Sequence, residues 1–325
     1  MSTTDRSSSA SLLVVIPCLN EGATIRQVVA GVPDEIPGIG TIEVVVLDDG
    51  STDETAMVAR EAGAGVVSNP RNLGLGQTFQ RAVRLALDTG ADILINIDGD
   101  GQFDPADIPR LAEPILRGQA DMVTASRFVD PSLTPEMPRL KKWGNHRVAQ
   151  IVSAATGERF HDVSCGFRAF SREALLRLNL FGSFTYTQET FLDLAYKQLE
   201  ILEVPIAVRG TREHGESRIA SSLSSYAYRS LKIMFRAAIS YKPLRFFAAI
   251  ASVFLVFGFA LLAFLLVHYL DTGAFSPHRW AGFVGGSFGF LGILTLVLGL
   301  LGDMLVRIRL NQEEILYLLR LEGKR

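Results

Sequence analysis

Ile93-Leu94-Ile95-Asn96-Ile97 runs directly into Asp98-Gly99-Asp100-Gly101-Gln102. The first half has the length and apolar character of a strand buried on both faces. The second half sets two carboxylates and an amide oxygen at alternate positions, where all three can converge on one divalent ion. Mg2+ or Mn2+ prefers such oxygen ligands and leaves positions open for phosphate oxygens. A calcium loop of the EF-hand type is excluded, because the twelfth position from Asp98 is Pro109 where a Glu is needed. A solvated acidic turn is the competing reading.

The pattern extends outward from this stretch. Residues 12–16, 42–47, 65–67 and 122–124 are short apolar runs that suit buried strands, the first ending at Pro17. Helices are expected over 23–32, 53–62, 77–88 and 105–116. Strands alternating with helices predict an α/β fold with a mostly parallel sheet, its ligand site beyond the carboxyl ends of the strands. Polar residues fall at those ends: Asn20 and Glu21 after the first strand, Asp48 and Asp49 after the second, Asp98 and Asp100 after the fourth. In Asp48-Asp49-Gly50-Ser51-Thr52-Asp53 a carboxylate can accept hydrogen bonds from a base or ribose. The same residues can cap a helix through Ser51 or Thr52, with Asp53 in its first turn. No P-loop is present, and no Gly-x-Gly-x-x-Gly follows the first strand. Pro131, Pro135 and Pro138 mark an irregular segment, read as a loop over the site. Further helices are expected over 143–155, 172–178 and 188–198, with a strand near 201–204.

Composition narrows the class. Hydrophobic residues make up 48% of the 325 and charged residues 20%, which argues against disorder. A net charge of −2 gives no reason to expect a nucleic-acid partner. Cys18 and Cys165 stand far apart in no metal-ligand spacing, which fits a reducing compartment and no disulfide scaffold. Residues 246–267 and 280–301 contain no charge. Each clears the roughly 18–20 residues a membrane-spanning helix needs. With Gly273 and Pro277 between them, they read as a transmembrane hairpin. Lys232, Arg236, Lys242 and Arg245 precede the first run, and Arg307, Arg309, Arg320, Lys324 and Arg325 follow the second. Positive flanks favour the cytoplasm, so the N-terminal part is expected there, on a plasma (inner) membrane.

Five segments result: a disordered leader over 1–10, a catalytic domain over 11–220, juxtamembrane amphipathic helices over 221–245, the hairpin over 246–306, and a cytoplasmic helix over 307–325. The segment 222–247 mixes aromatics with arginine and lysine, which suits a helix at an anionic bilayer surface or one packed on the domain. Leu305, Ile308, Ile315, Leu316 and Leu319 form an apolar stripe, suited either to a homo-oligomer or to an interfacial helix.

In this order and spacing, Ile16-Pro17-Cys18-Leu19-Asn20-Glu21, Asp48-Asp49-Gly50-Ser51, Asp98-x-Asp100-x-Gln102 and Ser126-Arg127-Phe128 resemble family 2 glycosyltransferases with the GT-A fold. Asp162-x-Ser164-Cys165-Gly166-Phe167-Arg168 and Arg212-x-x-Gly215-x-Ser217-Arg218 look like the polyprenyl-phosphate branch, typified by dolichol-phosphate mannose synthases. The resemblance covers about residues 11–220. It implies that Pro17, Asn20, Glu21, Asp48, Asp49 and Asp98 bind a nucleotide diphosphate sugar. It implies that Asp98, Asp100 and Gln102 hold Mg2+ or Mn2+, with Asp100 and Arg127 as catalytic residues. Arg127 would bind the phosphate of a polyprenyl phosphate acceptor, with Arg139, Lys141 or Lys142 as its helper. Arg212, Ser217 and Arg218 would approach phosphates as the site closes. One departure is the pair of glycines flanking Asp100, where the family often carries bulkier residues, so a more flexible loop is expected.

The implied reaction moves a hexose onto the lipid phosphate with inversion, at the bilayer. One alternative is a processive polysaccharide synthase of the same fold. Such enzymes carry Gln-x-x-Arg-Trp, whereas Arg279-Trp280 here lacks the upstream Gln. A non-catalytic membrane scaffold that binds nucleotide-sugar is the other, and the intact acidic triad argues against it.

Overall fold

Leu13, Val14, Val15 and Ile16 are buried to 1% exposure or less, as are Leu94 and Ile95. Strands with apolar residues on both faces can satisfy them only at the centre of a sheet covered by helices. In the structure, a computed structural model that describes residues 9–180, 186–209, 239 and 242–323, these two segments are that centre. The chain divides into two compact units, one of Met1–Ser230 with Tyr317–Arg325 and the other of Leu231–Leu316.

The first unit is built on β1 (Ala10–Cys18), β2 (Ile39–Asp48), β3 (Gly65–Ser68), β4 (Ile93–Asn96), β5 (Met122–Ser126), β6 (Arg168–Ser171) and β7 (Ile201–Pro205). Their order across the sheet is β3-β2-β1-β4-β6-β5-β7. All neighbours run parallel except β6, which is antiparallel to both β4 and β5. The helices are α1 (Ile25–Ala30), α2 (Thr55–Glu61), α3 (Leu75–Thr89), α4 (Ile108–Leu116), α5 (Arg139–Thr156), α6 (Arg172–Arg177) and α7 (Thr187–Tyr196). Their apolar sides close the core: Val28, Ala59, Leu111 and Ala112 lie against the sheet residues Leu12, Val14, Ile16 and Val123. The sheet is thus mostly parallel, as the strand pattern predicts, and mixed only through β6. Sequence periodicity does not anticipate β6. Helix α5 starts a turn earlier than expected, directly after Pro138, whose extended backbone (φ −54°, ψ 134°) ends the irregular segment.

The second unit holds α8 (Pro243–Thr272, 30 residues) and α9 (Arg279–Leu321, 43 residues) as far as Leu316, and each helix is long and apolar enough to cross a membrane. Their outer surfaces are large hydrophobics: Val253, Phe259, Leu270 and Phe283 are each at least 67% exposed. Such a surface is stable in hydrocarbon and not in water. The second apolar run and the stripe ending at Leu319 form one continuous helix. The helices meet at glycines. A Cβ on Gly258 would stand 2.8 Å from the Gly285 carbonyl oxygen, and one on Gly285 would stand 3.0 Å from that of Gly258. Close helix approach through small residues is the usual way apolar helices associate in lipid. Gly258→Leu is therefore expected to separate the hairpin. Cysteine pairs placed across the two helices should lose their crosslink in that variant, and an undiminished crosslink would refute the glycine contact.

Candidate active site

From β1 the chain steps to β2 and β3 on one side of the sheet, while β4 lies on the other. The carboxyl ends of β1 and β4 therefore flank a topological switch point, where open α/β sheets place their ligands. The loops there are 19–24 and 97–102, the two that carry the first and third motifs. They are joined by Thr24, whose hydroxyl donates to the Gly99 carbonyl at 2.7 Å. Asp100 is only 4% exposed, and its Oδ1 accepts from the Gln102 amide at 3.1 Å. Gly101 takes a positive φ of 70°, the turn that brings Gln102 round. Under Asp98 lies Gly166, where a Cβ would come within 2.6 Å of Asp98 Oδ2. At Gly99 a Cβ would meet Cys18 Sγ at 2.4 Å. The glycines flanking Asp100 are thus accounted for by close packing at Gly99 and a left-handed turn at Gly101.

The loop after β1 is stitched to the loop after β2. Asn20, itself at φ 56°, accepts from the Thr52 amide at 2.8 Å, and its own amide donates to Ser51 Oγ at 2.9 Å. The Glu21 amide donates to Thr55 Oγ1 and the Gly22 amide to Asp53 Oδ2. Burial works to raise the Asp53 pKa, but hydrogen bonds from Thr55 and Gly22 outweigh it and hold the carboxyl below its ordinary value. Asp48 accepts from the Ser51 amide at 2.8 Å. Asp49 reaches the other way: it accepts from Asn69 Nδ2 and from the Leu73 and Gly74 amides, at 2.8–2.9 Å. It thereby anchors the segment leading into α3. Pro17 is buried in β1, opposite Leu47. Each of these residues has a scaffold role at the same sheet edge, alongside the nucleotide contacts the resemblance implies.

Because β6 is antiparallel, its amino end lies at the carboxyl ends of β4 and β5, with Arg168 opposite both Asn96 and Thr124. The residues that precede it are delivered to the site. Asp162, with a fully buried side chain, accepts from Arg127 Nε at 2.6 Å and from Nη2 at 2.8 Å, a bidentate fork. Nη1 of Arg127 makes no hydrogen bond among the described residues. Burial opposes both charges, and each partner overrides it in the other. The Asp162 carboxyl is held below its usual range and the Arg127 guanidinium is raised. Asp162 is fixed in turn by Glu203, which lies opposite Thr124 in β7 and accepts from the His161 and Asp162 amides at 2.8 and 2.7 Å. Arg168 is wholly buried and donates to the carbonyls of Cys165, Val163 and Thr187, and to Thr190. It ties the floor beneath Asp98 to the first turn of α7. Burial, then the Asp162 charge, pushes the Cys165 thiol up to about 12, and burial raises Cys18 too, so neither is a thiolate nucleophile.

Asp98, Asp100 and Gln102 are brought to one loop, with Arg127 at the end of β5 on the same edge. Arg139, Lys141 and Lys142 lie exposed on the first turn of α5. Arg212, Ser217 and Arg218, and most of the segment 222–247, lie outside the described residues. So do residues 1–8 of the leader. No group of three or more His, Cys, Asp or Glu suited to a metal occurs among the described residues. The donor set fits a hard divalent ion, since Asp98 and Asp100, the latter almost fully buried, offer carboxylate oxygens and Gln102 an amide oxygen. Asp162, Glu203, Arg168 and Asn69 carry no role that sequence alone assigns. Glu203 does carry a signal, as a lone carboxylate between apolar neighbours in a short strand.

Known proteins bear on this geometry. An undecaprenyl-phosphate 4-deoxy-4-formamido-L-arabinose transferase of Pseudomonas aeruginosa is 30% identical over 311 residues, 90% of this chain and 84% of that protein. A UDP-N-acetylglucosamine–dolichyl-phosphate N-acetylglucosaminyltransferase of Methanococcus voltae is 29% identical over 215 residues, 60% of this chain and 84% of that protein. Among solved structures, glucosyl-3-phosphoglycerate synthase of Mycobacterium tuberculosis, bound to Mn2+, UDP and its product, aligns with a TM-score of 0.55 at 25% identity. The alignment covers 71% of this chain and 80% of that one. The model of the family described as glycosyl transferase family 2 matches residues 13–178, from within β1 through β6 and the loops between them that build the site. The chain belongs to that family.

Proposed function

We propose that this enzyme transfers a sugar from a nucleotide diphosphate to the phosphate of a polyprenyl phosphate lipid, inverting the anomeric centre. The observation that carries the reading is Arg127. Its guanidinium is fixed by Asp162 at the same sheet edge as the acidic loop, with Nη1 left for a ligand. A phosphate monoester has a second pKa near 6, so it is already largely an anionic nucleophile at neutral pH. Such an acceptor needs orientation by a cation more than it needs a general base. The relatives from Pseudomonas and Methanococcus differ in the sugar they name but both name a lipid phosphate acceptor, which supports this choice.

Asp98, Asp100 and Gln102 would hold Mg2+ or Mn2+. When bound, such an ion neutralises charge developing on the departing diphosphate. Asn20, Glu21, Asp48 and Asp49 would frame the nucleotide beside it. Arg127 holds the acceptor oxygen in line, with Arg139 or Lys142 as a second cation, and Arg212, Ser217 and Arg218 would close over the phosphates. The two apolar helices make this a membrane protein, and the positive flanks support a catalytic unit on the cytoplasmic side.

The test is a transfer assay with the purified full chain, polyprenyl phosphate and a panel of nucleotide-sugars. One donor should give a lipid-extractable product that mild acid splits into sugar and lipid phosphate, and chelator should abolish its formation. Transfer only to a sugar hydroxyl, or growth of a polymer, would replace this reading.

A further inference from the structure

Helix α5 has two faces. Gly144, Asn145, Val148, Ala149 and Val152 are buried, and the helix packs on α7. Arg139, Lys142, Trp143, His146, Arg147 and Gln150 face solvent. Trp143 is 51% exposed, and the Arg147 guanidinium lies 5.5 Å from its ring centroid. Between Glu136 and Glu158 there is no acidic residue, while Arg139, Lys141, Lys142 and Arg147 all fall there, in a chain whose net charge is −2. This is a local concentration of positive charge around an uncovered indole. We propose that the outer face of α5, centred on Trp143 and flanked by Arg139, Lys142 and Arg147, docks on the anionic headgroups of the bilayer that holds α8 and α9.

The chemistry favours headgroups. Tryptophan is the side chain most at home at the membrane–water boundary, where its ring enters the apolar edge and its N–H stays hydrated. Basic side chains beside it gain from an anionic leaflet, and that gain falls off within a Debye length, so it matters only when the face lies at the surface. A chain with two membrane helices keeps that surface within reach. The inference goes beyond the transfer reaction: it concerns bulk lipid, and its test needs neither donor nor acceptor.

Trp143 and Trp280 are the only tryptophans, so Trp280→Phe in the full chain leaves Trp143 as the sole indole reporter. The variant is placed in nanodiscs of phosphatidylcholine, with or without added phosphatidylglycerol, and quenched with acrylamide or with brominated acyl chains. With phosphatidylglycerol, Trp143 should become shielded from acrylamide and open to the brominated chains, and raised salt should reverse both. Arg139→Gln and Lys142→Gln should each weaken the docked state by about fivefold, the factor expected per cation at such a surface. Equal acrylamide quenching in both discs and in detergent would overturn the proposal. Shielding on adding RNA but not anionic lipid would reassign the face to nucleic acid, and shielding that survives both Gln variants would remove its electrostatic basis.

Discussion

Asp98→Asn and Asp100→Asn are each expected to lower turnover by about a hundredfold or more while the protein stays folded. The amide is isosteric with the carboxylate. Its oxygen at position 100 can still accept from the Gln102 amide, and the substituted side chain at position 98 still fits over Gly166. What disappears is negative charge on a hard-cation ligand, which an amide oxygen replaces poorly. The effect should therefore be visible before any chemistry. Mn2+ titration of the resting protein, followed by electron paramagnetic resonance, should report weaker binding in both variants, and unfolding by heat should report little change. Near-normal turnover in both, or full activity in chelator, would take the metal away from this loop.

Much of this site is legible in the sequence because its first two layers are local. A buried strand followed at once by polar residues identifies a carboxyl edge, and three such junctions place Asn20, Asp48 and Asp98 on one rim. The sequence cannot reveal what each carboxylate is bonded to. Asp49 reads as a nucleotide ligand, and it also accepts three hydrogen bonds from the segment around Asn69 and Gly74, some twenty residues on. Strand β6 escapes the pattern because Arg168-Ala169-Phe170-Ser171 is too short for alternation to register and begins with an arginine. That arginine is wholly buried, a placement propensity argues against and only the carbonyls of Cys165, Val163 and Thr187 make tenable. Missing β6 conceals the antiparallel step, and with it the route by which Asp162 and Gly166 reach Arg127 and Asp98. The membrane helices are the most legible part, since twenty uncharged residues carry their own signal. The contact between Gly258 and Gly285 is not, because a glycine's partner lies on another helix.

Arg127→Ala should do two separable things, and only one of them concerns the acceptor. Removing the guanidinium leaves Asp162 as a fully buried carboxylate without its counter-ion. Such a loss costs about 3–5 kcal/mol. In the native protein the Asp162 pKa is depressed, so the pair's stabilisation is present above the ordinary carboxylate range and is lost as pH falls through the depressed value. In Arg127→Ala the sign inverts. The unpaired buried carboxyl titrates above its unfolded value, and stability should fall as pH rises toward neutrality. Arg127→Ala with Asp162→Asn removes both charges and should recover most of the lost stability without recovering transfer. Arg127→Lys should rescue only in part, because a point charge cannot fork onto Asp162 and also present Nη1 to a phosphate. Three measurements separate the effects: denaturant unfolding across pH, donor affinity by calorimetry, and initial rate against lipid phosphate concentration. The expected pattern is unchanged donor affinity, loss of acceptor kcat/KM in single and double variants alike, and stability lost in the single variant alone. If the double variant transfers as well as the native protein, Arg127 serves only to neutralise Asp162, and the acceptor phosphate must be held elsewhere. Equal loss of donor affinity would move Arg127 to the nucleotide side of the reaction.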